Sequence, residues 1–165
     1  MANVTFHQEP VTLIGSEIKV GDQAPNFTVL NNDLKEVSLD DYKGKVKLIS
    51  VVPSLDTGVC SLQTKKFNDE ASKVDAQVLT VSMDLPFAQK RWLEANNVSN
   101  LITLSDHREG NFGEKYGVLI KELRLLARSI FVVDSNDKVT YVEYVSEVSE
   151  HPDYDKALEA AKQAK

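Results

Sequence analysis

The residues most able to do chemistry in this chain lie in the run Pro53-Ser54-Leu55-Asp56-Thr57-Gly58-Val59-Cys60, which ends on the lone cysteine of the sequence. The run follows the apolar stretch Val46-Lys47-Leu48-Ile49-Ser50-Val51-Val52, so a strand is expected to end and a helix to begin just before the thiol. Unpaired backbone N–H groups and the positive end of the helix dipole stabilise an anion in such a first turn. The thiolate is the nucleophilic form of cysteine, and helix N-termini together with nearby cations bring reactive thiols to pKa values of roughly 3.5–7.5. Some intrinsic nucleophilicity is lost as the pKa falls, so a fast reaction also needs a positioned substrate.

The neighbours of Cys60 fit that role. Pro53 cannot donate a ladder hydrogen bond, so it ends the strand and screens the loop. Asp56 or Thr57 is placed to N-cap the helix. Thr57, three residues before Cys60, can turn its hydroxyl towards the sulfur or a ligand on it, and Gly58 adds little bulk to the approach. A lone cysteine is otherwise a small buried hydrophobe, and residue types alone leave both readings open.

Other reactive residue types give weaker patterns. His7, His107 and His151 are far apart, without ligand spacing to one another or to Cys60, and read as surface histidines. Ser54 and Ser61 lack an adjacent base. Lys90-Arg91 reads as an exposed helix face, and Trp92 as core or subunit contact.

The elements that must position Cys60 follow from the apolar pattern. An N-terminal hairpin is expected from Val11-Thr12-Leu13 and Ile18-Lys19-Val20 around Gly15-Ser16. Phe27–Leu30 reads as a strand, 31–33 as a polar turn and 40–44 as a short helical piece. The central strand over 46–52 is apolar enough to be covered on both faces. A helix is expected over 57–73, with Leu62, Phe67 and Ala71 on one side, then a strand over 77–83 and a helix over 86–96 with Pro86 in its first turn. A strand at 101–104, a hairpin of 130–134 with 139–145, and an Ala-rich helix over 154–165 complete the order. That order implies an α/β, thioredoxin-like fold: a mixed central sheet flanked by helices, preceded by an N-terminal β-hairpin.

The totals suit one domain over residues 1–165, with 42 % hydrophobic residues to build a core. A net charge of -6 argues against a nucleic-acid surface. No basic segment precedes a long apolar stretch at the N-terminus, and no run approaches the roughly 18 apolar residues of a membrane span. A single cysteine has no internal disulfide partner, which fits a reducing compartment, and a cytoplasmic location is the expectation.

Pro53, Thr57 and Cys60 match the Pro-x-x-x-Thr/Ser-x-x-Cys signature of the peroxiredoxins. The string PSLDTGVC, followed by Gln63-Thr64 and Lys66-Phe67-Asn68, closely resembles the bacterial thiol peroxidase branch of that family. So do SLDDYKGKVKLISVVPSLDTGVC, VSMDLPFAQKRW, LITLSD and LLARSIFVVD, in the same order along nearly the whole chain. The resemblance implies a thioredoxin-like fold and thiol-dependent reduction of hydrogen peroxide and organic hydroperoxides, without metal or prosthetic group. It assigns Cys60 as the peroxidatic cysteine, Thr57 and Arg128 as its activators, and Pro53 as the residue screening the sulfur at the substrate site. It also implies a homodimer reduced by thioredoxin.

The chemistry implied is coherent. Cys60 thiolate attacks the terminal peroxide oxygen, expels hydroxide or alkoxide, and becomes a sulfenic acid. Arg128, permanently charged, holds the thiolate and the peroxide oxygens. The family usually carries a resolving cysteine after Arg91-Trp92, where this chain has Leu93. An external thiol must then resolve Cys60. The alternative is a peroxide sensor or redox relay with poor turnover. Phe87 and Leu93 are expected to line an apolar mouth that favours organic hydroperoxides.

Overall fold

The computed structural model describes residues 3–164 of the chain. The first strands are β1 (Val4–Phe6), β2 (Glu9–Val11), β3 (Leu13–Ile14), β4 (Thr28–Leu30) and β5 (Glu36–Ser38). A 3-10 turn at Leu39–Tyr42 leads into β6 (Lys47–Val51), α1 (Gly58–Ala71), β7 (Gln77–Ser82), α2 (Pro86–Ala95) and β8 (Ile102–Ser105). The chain continues through α3 (Asn111–Lys115), β9 (Leu119–Ile120), β10 (Ser129–Val133), β11 (Val139–Tyr144) and α4 (Tyr154–Gln163). Lys165, the expected end of the last helix, lies outside the described residues.

The main sheet has the order β11-β10-β6-β7-β8-β4-β5. Its centre, β6-β7-β8, is parallel, while β10, β11, β4 and β5 run antiparallel to their neighbours. This is the mixed sheet flanked by helices that the element order implied. β6 is buried along its whole length, as a two-faced strand must be. One face packs Leu48, Val78, Ile130 and Val132 against Phe67 of α1, Trp92 and Leu93 of α2, and Ala157, Leu158 and Ala161 of α4. The other packs Ile49, Val51, Val81 and Phe131 against Phe27, Phe112 and Tyr116. Each fully buried aliphatic or phenyl side chain contributes about 1.5–3 kcal/mol.

Three expectations need correction. The N-terminal hairpin is present, but it is β1-β2, turning at His7-Gln8 rather than Gly15-Ser16. Ile18–Val20 forms no strand, and β3 pairs instead with the distant β9. Both turn residues lie in the left-handed region, at φ 52° and 70°, where a non-glycine residue costs about 1–2 kcal/mol. Their N–H groups both donate to the Glu147 carboxylate, at 3.2 and 2.7 Å, which holds the turn in place. The third correction concerns α1. Its buried positions are Cys60, Gln63, Thr64, Phe67 and Asn68, and Leu62 is exposed. The inward face of α1 carries the polar groups of the site, so its apolar pattern is weak.

Candidate active site

The β6-to-α1 connection puts Cys60 where the sequence placed it, in the first turn of a 14-residue helix. Val52 N–H still donates to Val81 O (3.1 Å), and the buried Pro53 then takes the chain off the sheet. Asp84, just beyond β7, fastens the loop by accepting hydrogen bonds from Ser54 Oγ (2.7 Å), Leu55 N–H (2.8 Å) and Ser82 Oγ (2.7 Å). The N-cap is Thr57, with extended backbone and no side-chain capping bond. Its hydroxyl instead donates back to Ser54 O (3.2 Å), which closes the loop on itself.

Cys60 is fully buried in a cluster with Val52 and Leu55, against which the partly buried Trp92 packs. The polar contact of its sulfur is with Arg128, whose Nη2 donates to Sγ at 3.1 Å. Arg128 precedes β10, the strand beside β6, and is itself only 2 % exposed. Two of its other donors are fixed: Nε to Val148 O (2.7 Å) and Nη1 to Gln63 Oε1 (2.8 Å). Gln63 Nε2 in turn donates to Ser50 Oγ on β6 (2.8 Å). A rigid planar fork held at Nε and at Nη1 points its Nη2 end at one sulfur. Burial raises the phenol of Tyr154, at the start of α4, above its ordinary value. The charge of Arg128 opposes that rise and a charge on Cys60 adds to it.

The structure thus brings Cys60 and Arg128 together across 68 positions of sequence and keeps Thr57 and Pro53 in the loop that leads to them. Gln63, Ser50, Asp84 and Val148 were missed as parts of the site. Gln63 had a legible signal, since i and i+3 share a helix face. Val148 contributes a carbonyl, to which side-chain type gives no clue.

Other candidates fall elsewhere. Arg91 is exposed and lines a cleft of about 410 Å³ between the 54–56 loop and α2, together with Ser54, Leu55, Asp84 and Trp92. Leu93 packs into the core cluster under the sheet and Phe87 projects outwards, so the two do not form the expected apolar mouth. His7 and His151 are exposed and His107 is half-buried. Among the described residues, no group of three or more His, Cys, Asp or Glu is placed to hold a metal ion. Nor is any helix there long and apolar enough to cross a membrane.

A buried thiol aimed at by a fixed guanidinium, on a helix that follows the central strand of a mixed sheet, defines a thiol-redox protein. Residues 19–158 match the Redoxin family, and the chain belongs to it. Its fold is thioredoxin-like. It is 67 % identical over 159 residues to a thiol peroxidase of Oceanobacillus iheyensis, covering 96 % of this chain and 97 % of that protein. It is 63 % identical to a thiol peroxidase of Bacillus subtilis over 98 % of each chain. Among solved structures, a peroxiredoxin-like protein from Aquifex aeolicus superposes with a TM-score of 0.92 at 44 % identity, over 99 % of this chain and 97 % of the other.

Proposed function

We propose that the chain is a thiol-dependent peroxidase in which Cys60 is the nucleophile, Arg128 its charge partner, and Thr57 and Pro53 the walls of the peroxide site. The observation that supports this most is the 3.1 Å contact from Arg128 Nη2 to Cys60 Sγ inside a closed site. Low-dielectric surroundings strengthen that interaction relative to water. The Cys60 thiolate attacks the distal oxygen of a hydroperoxide. The O–O bond breaks, the sulfur is oxidised to Cys60–SOH, and alkoxide or hydroxide leaves and takes a proton from water. Arg128 is placed to follow the charge from sulfur to the departing oxygen, and the Thr57 hydroxyl oxygen is available beside its bond to Ser54.

Recycling falls to external thiols, because the sequence holds no second cysteine. A first thiol condenses with Cys60–SOH to give a mixed disulfide and water, and a second releases Cys60 thiol and an external disulfide. Thioredoxin is the proposed reductant. We place the protein in the cytoplasm, as one domain that pairs into a homodimer. Exposed Leu62, Leu85 and Phe87, on α1 and at the start of α2, offer apolar surface for that pairing.

The experiment is hydroperoxide consumption coupled to thioredoxin and its reductase, with Cys60→Ser as control. Sustained, Cys60-dependent turnover is the expected result. A single rapid oxidation of Cys60 followed by no turnover would instead favour the second reading, a peroxide sensor or relay, which the lone cysteine supports.

A further inference from the structure

The guanidinium of Arg128 is held at the sulfur by two partners, and one of them, Val148 O, belongs to no strand of the main sheet. Val148 lies in a strap of residues 145–149 that follows β11. The strap is anchored to the N-terminal hairpin. Val148 N–H donates to Thr5 O and Thr5 N–H donates to Ser146 O, both at 2.8 Å, so the strap runs beside β1 like a further strand. The half-buried Glu147 carboxylate ties the two pieces together. It accepts from Thr5 Oγ1 (2.8 Å) and from His7 and Gln8 N–H in the hairpin, and from Ser149 N–H (2.8 Å) and Ser149 Oγ in the strap.

We propose that Glu147 is a positioning residue for the peroxidatic site, through which the N-terminal hairpin fixes the strap and thereby the Arg128 guanidinium at Cys60. The route is a short series of hydrogen bonds: hairpin to Glu147, Glu147 beside Val148, Val148 O to Arg128 Nε, Arg128 Nη2 to Cys60 Sγ. All five groups around the carboxylate are donors. An amide at this position would, whichever way it faced, set its NH2 against one of the two turn N–H groups and leave that group without its acceptor. With that bond lost, the strap keeps its backbone bonds to Thr5 but holds Val148 O less tightly, and the fork gains freedom about its remaining bond to Gln63. The inference rests on the reading of Arg128 as the activator of Cys60.

The test compares the rate of Cys60 oxidation by a limiting amount of hydrogen peroxide in the full chain and its variants. A displacement of a positioned group by about 1 Å can cost roughly 100-fold in rate, so Glu147→Gln is expected to slow oxidation by about tenfold, with Glu147→Asp partly restoring it. The pH profile of Cys60 alkylation by iodoacetamide should move to higher pH in Glu147→Gln, a change that loss of stability alone does not produce in folded protein. Glu122→Gln is the control. Glu122 also anchors the N-terminal segment, accepting from Thr12 N–H at 2.8 Å, but it does not touch the strap, so its variant should oxidise at the parent rate. If Glu147→Gln does not fold, Thr5→Val removes one bond to the carboxylate and should show the same slowing in smaller measure. A slowed Arg128→Ala beside an unchanged Glu147→Gln, or an unchanged Thr5→Val where the former does not fold, would overturn the inference. An Arg128→Ala that oxidises at the parent rate would overturn the reading of Arg128 and the inference with it.

Discussion

Arg128 Nη2 stands 3.1 Å from Cys60 Sγ, and both residues are closed off from solvent. Closed off in this way, the guanidinium depends on the partners that hold its fork, Gln63 and Val148 O, and on the sulfur it faces. Arg128→Ala should slow Cys60 oxidation by about tenfold or more, because removing one fixed donor from a charge-stabilising site commonly costs roughly 100-fold to 1000-fold. Arg128→Lys should restore little, since a point charge lacks the fork that also reaches Gln63 and Val148. Stopped-flow oxidation of the three proteins checks both statements.

Gln63 sits between Arg128 and Ser50, accepting from one and donating to the other. Gln63→Leu keeps the bulk but leaves a buried guanidinium N–H and the Ser50 hydroxyl without these partners. It should destabilise the fold by about 1–3 kcal/mol, the cost of a buried unsatisfied polar group. Urea unfolding at neutral pH measures it.

Glu147 is held at a pKa of about 2. Burial pulls it upward, but the bonds from Ser149, Gln8 and Thr5 outweigh burial. A carboxylate lowered on folding adds stability that is present above its unfolded value of 4.5 and is lost as pH falls through about 2. Thermal melts between pH 6 and pH 2 (roughly the span of that titration) should therefore show a steeper acid loss in the parent than in Glu147→Gln.

Asp106 has the opposite sign. Burial raises it from 3.8 to about 6, against the N–H groups of Gly113 and Phe112 at the start of α3. Folding favours its protonated form, so its contribution is fully present below 3.8 and is lost as pH rises through about 6. Asp106→Asn should remove that slope from the stability profile, whatever its effect on absolute stability.

Sequence patterns were strongest where packing and local chemistry agree. The apolar runs of β6, β7 and β10, and Pro86 opening α2, declared their elements because each is buried or capped as its residues require. The N-terminal turn was hidden because His7 and Gln8 take left-handed backbone on the strength of a carboxylate more than 130 positions away. The pairing of β3 with β9 is likewise a long-range event with no local signal. At the site, Cys60 was legible from its strand–loop–helix setting, and Arg128 from family likeness. The carbonyl of Val148 and the network through Gln63 emerge only when β10, α1 and the strap meet.

The most direct test of the central claim is a single-turnover oxidation of Cys60, followed by the fluorescence of Trp92. Trp92 is the one tryptophan of the sequence and packs against the sulfur's apolar cluster. Stoichiometric hydroperoxide should produce a fast fluorescence change that is lost in Cys60→Ser and slowed about tenfold or more in Arg128→Ala. A parent protein whose Cys60 reacts no faster than an ordinary free thiol, or reacts equally fast without Arg128, would contradict the account.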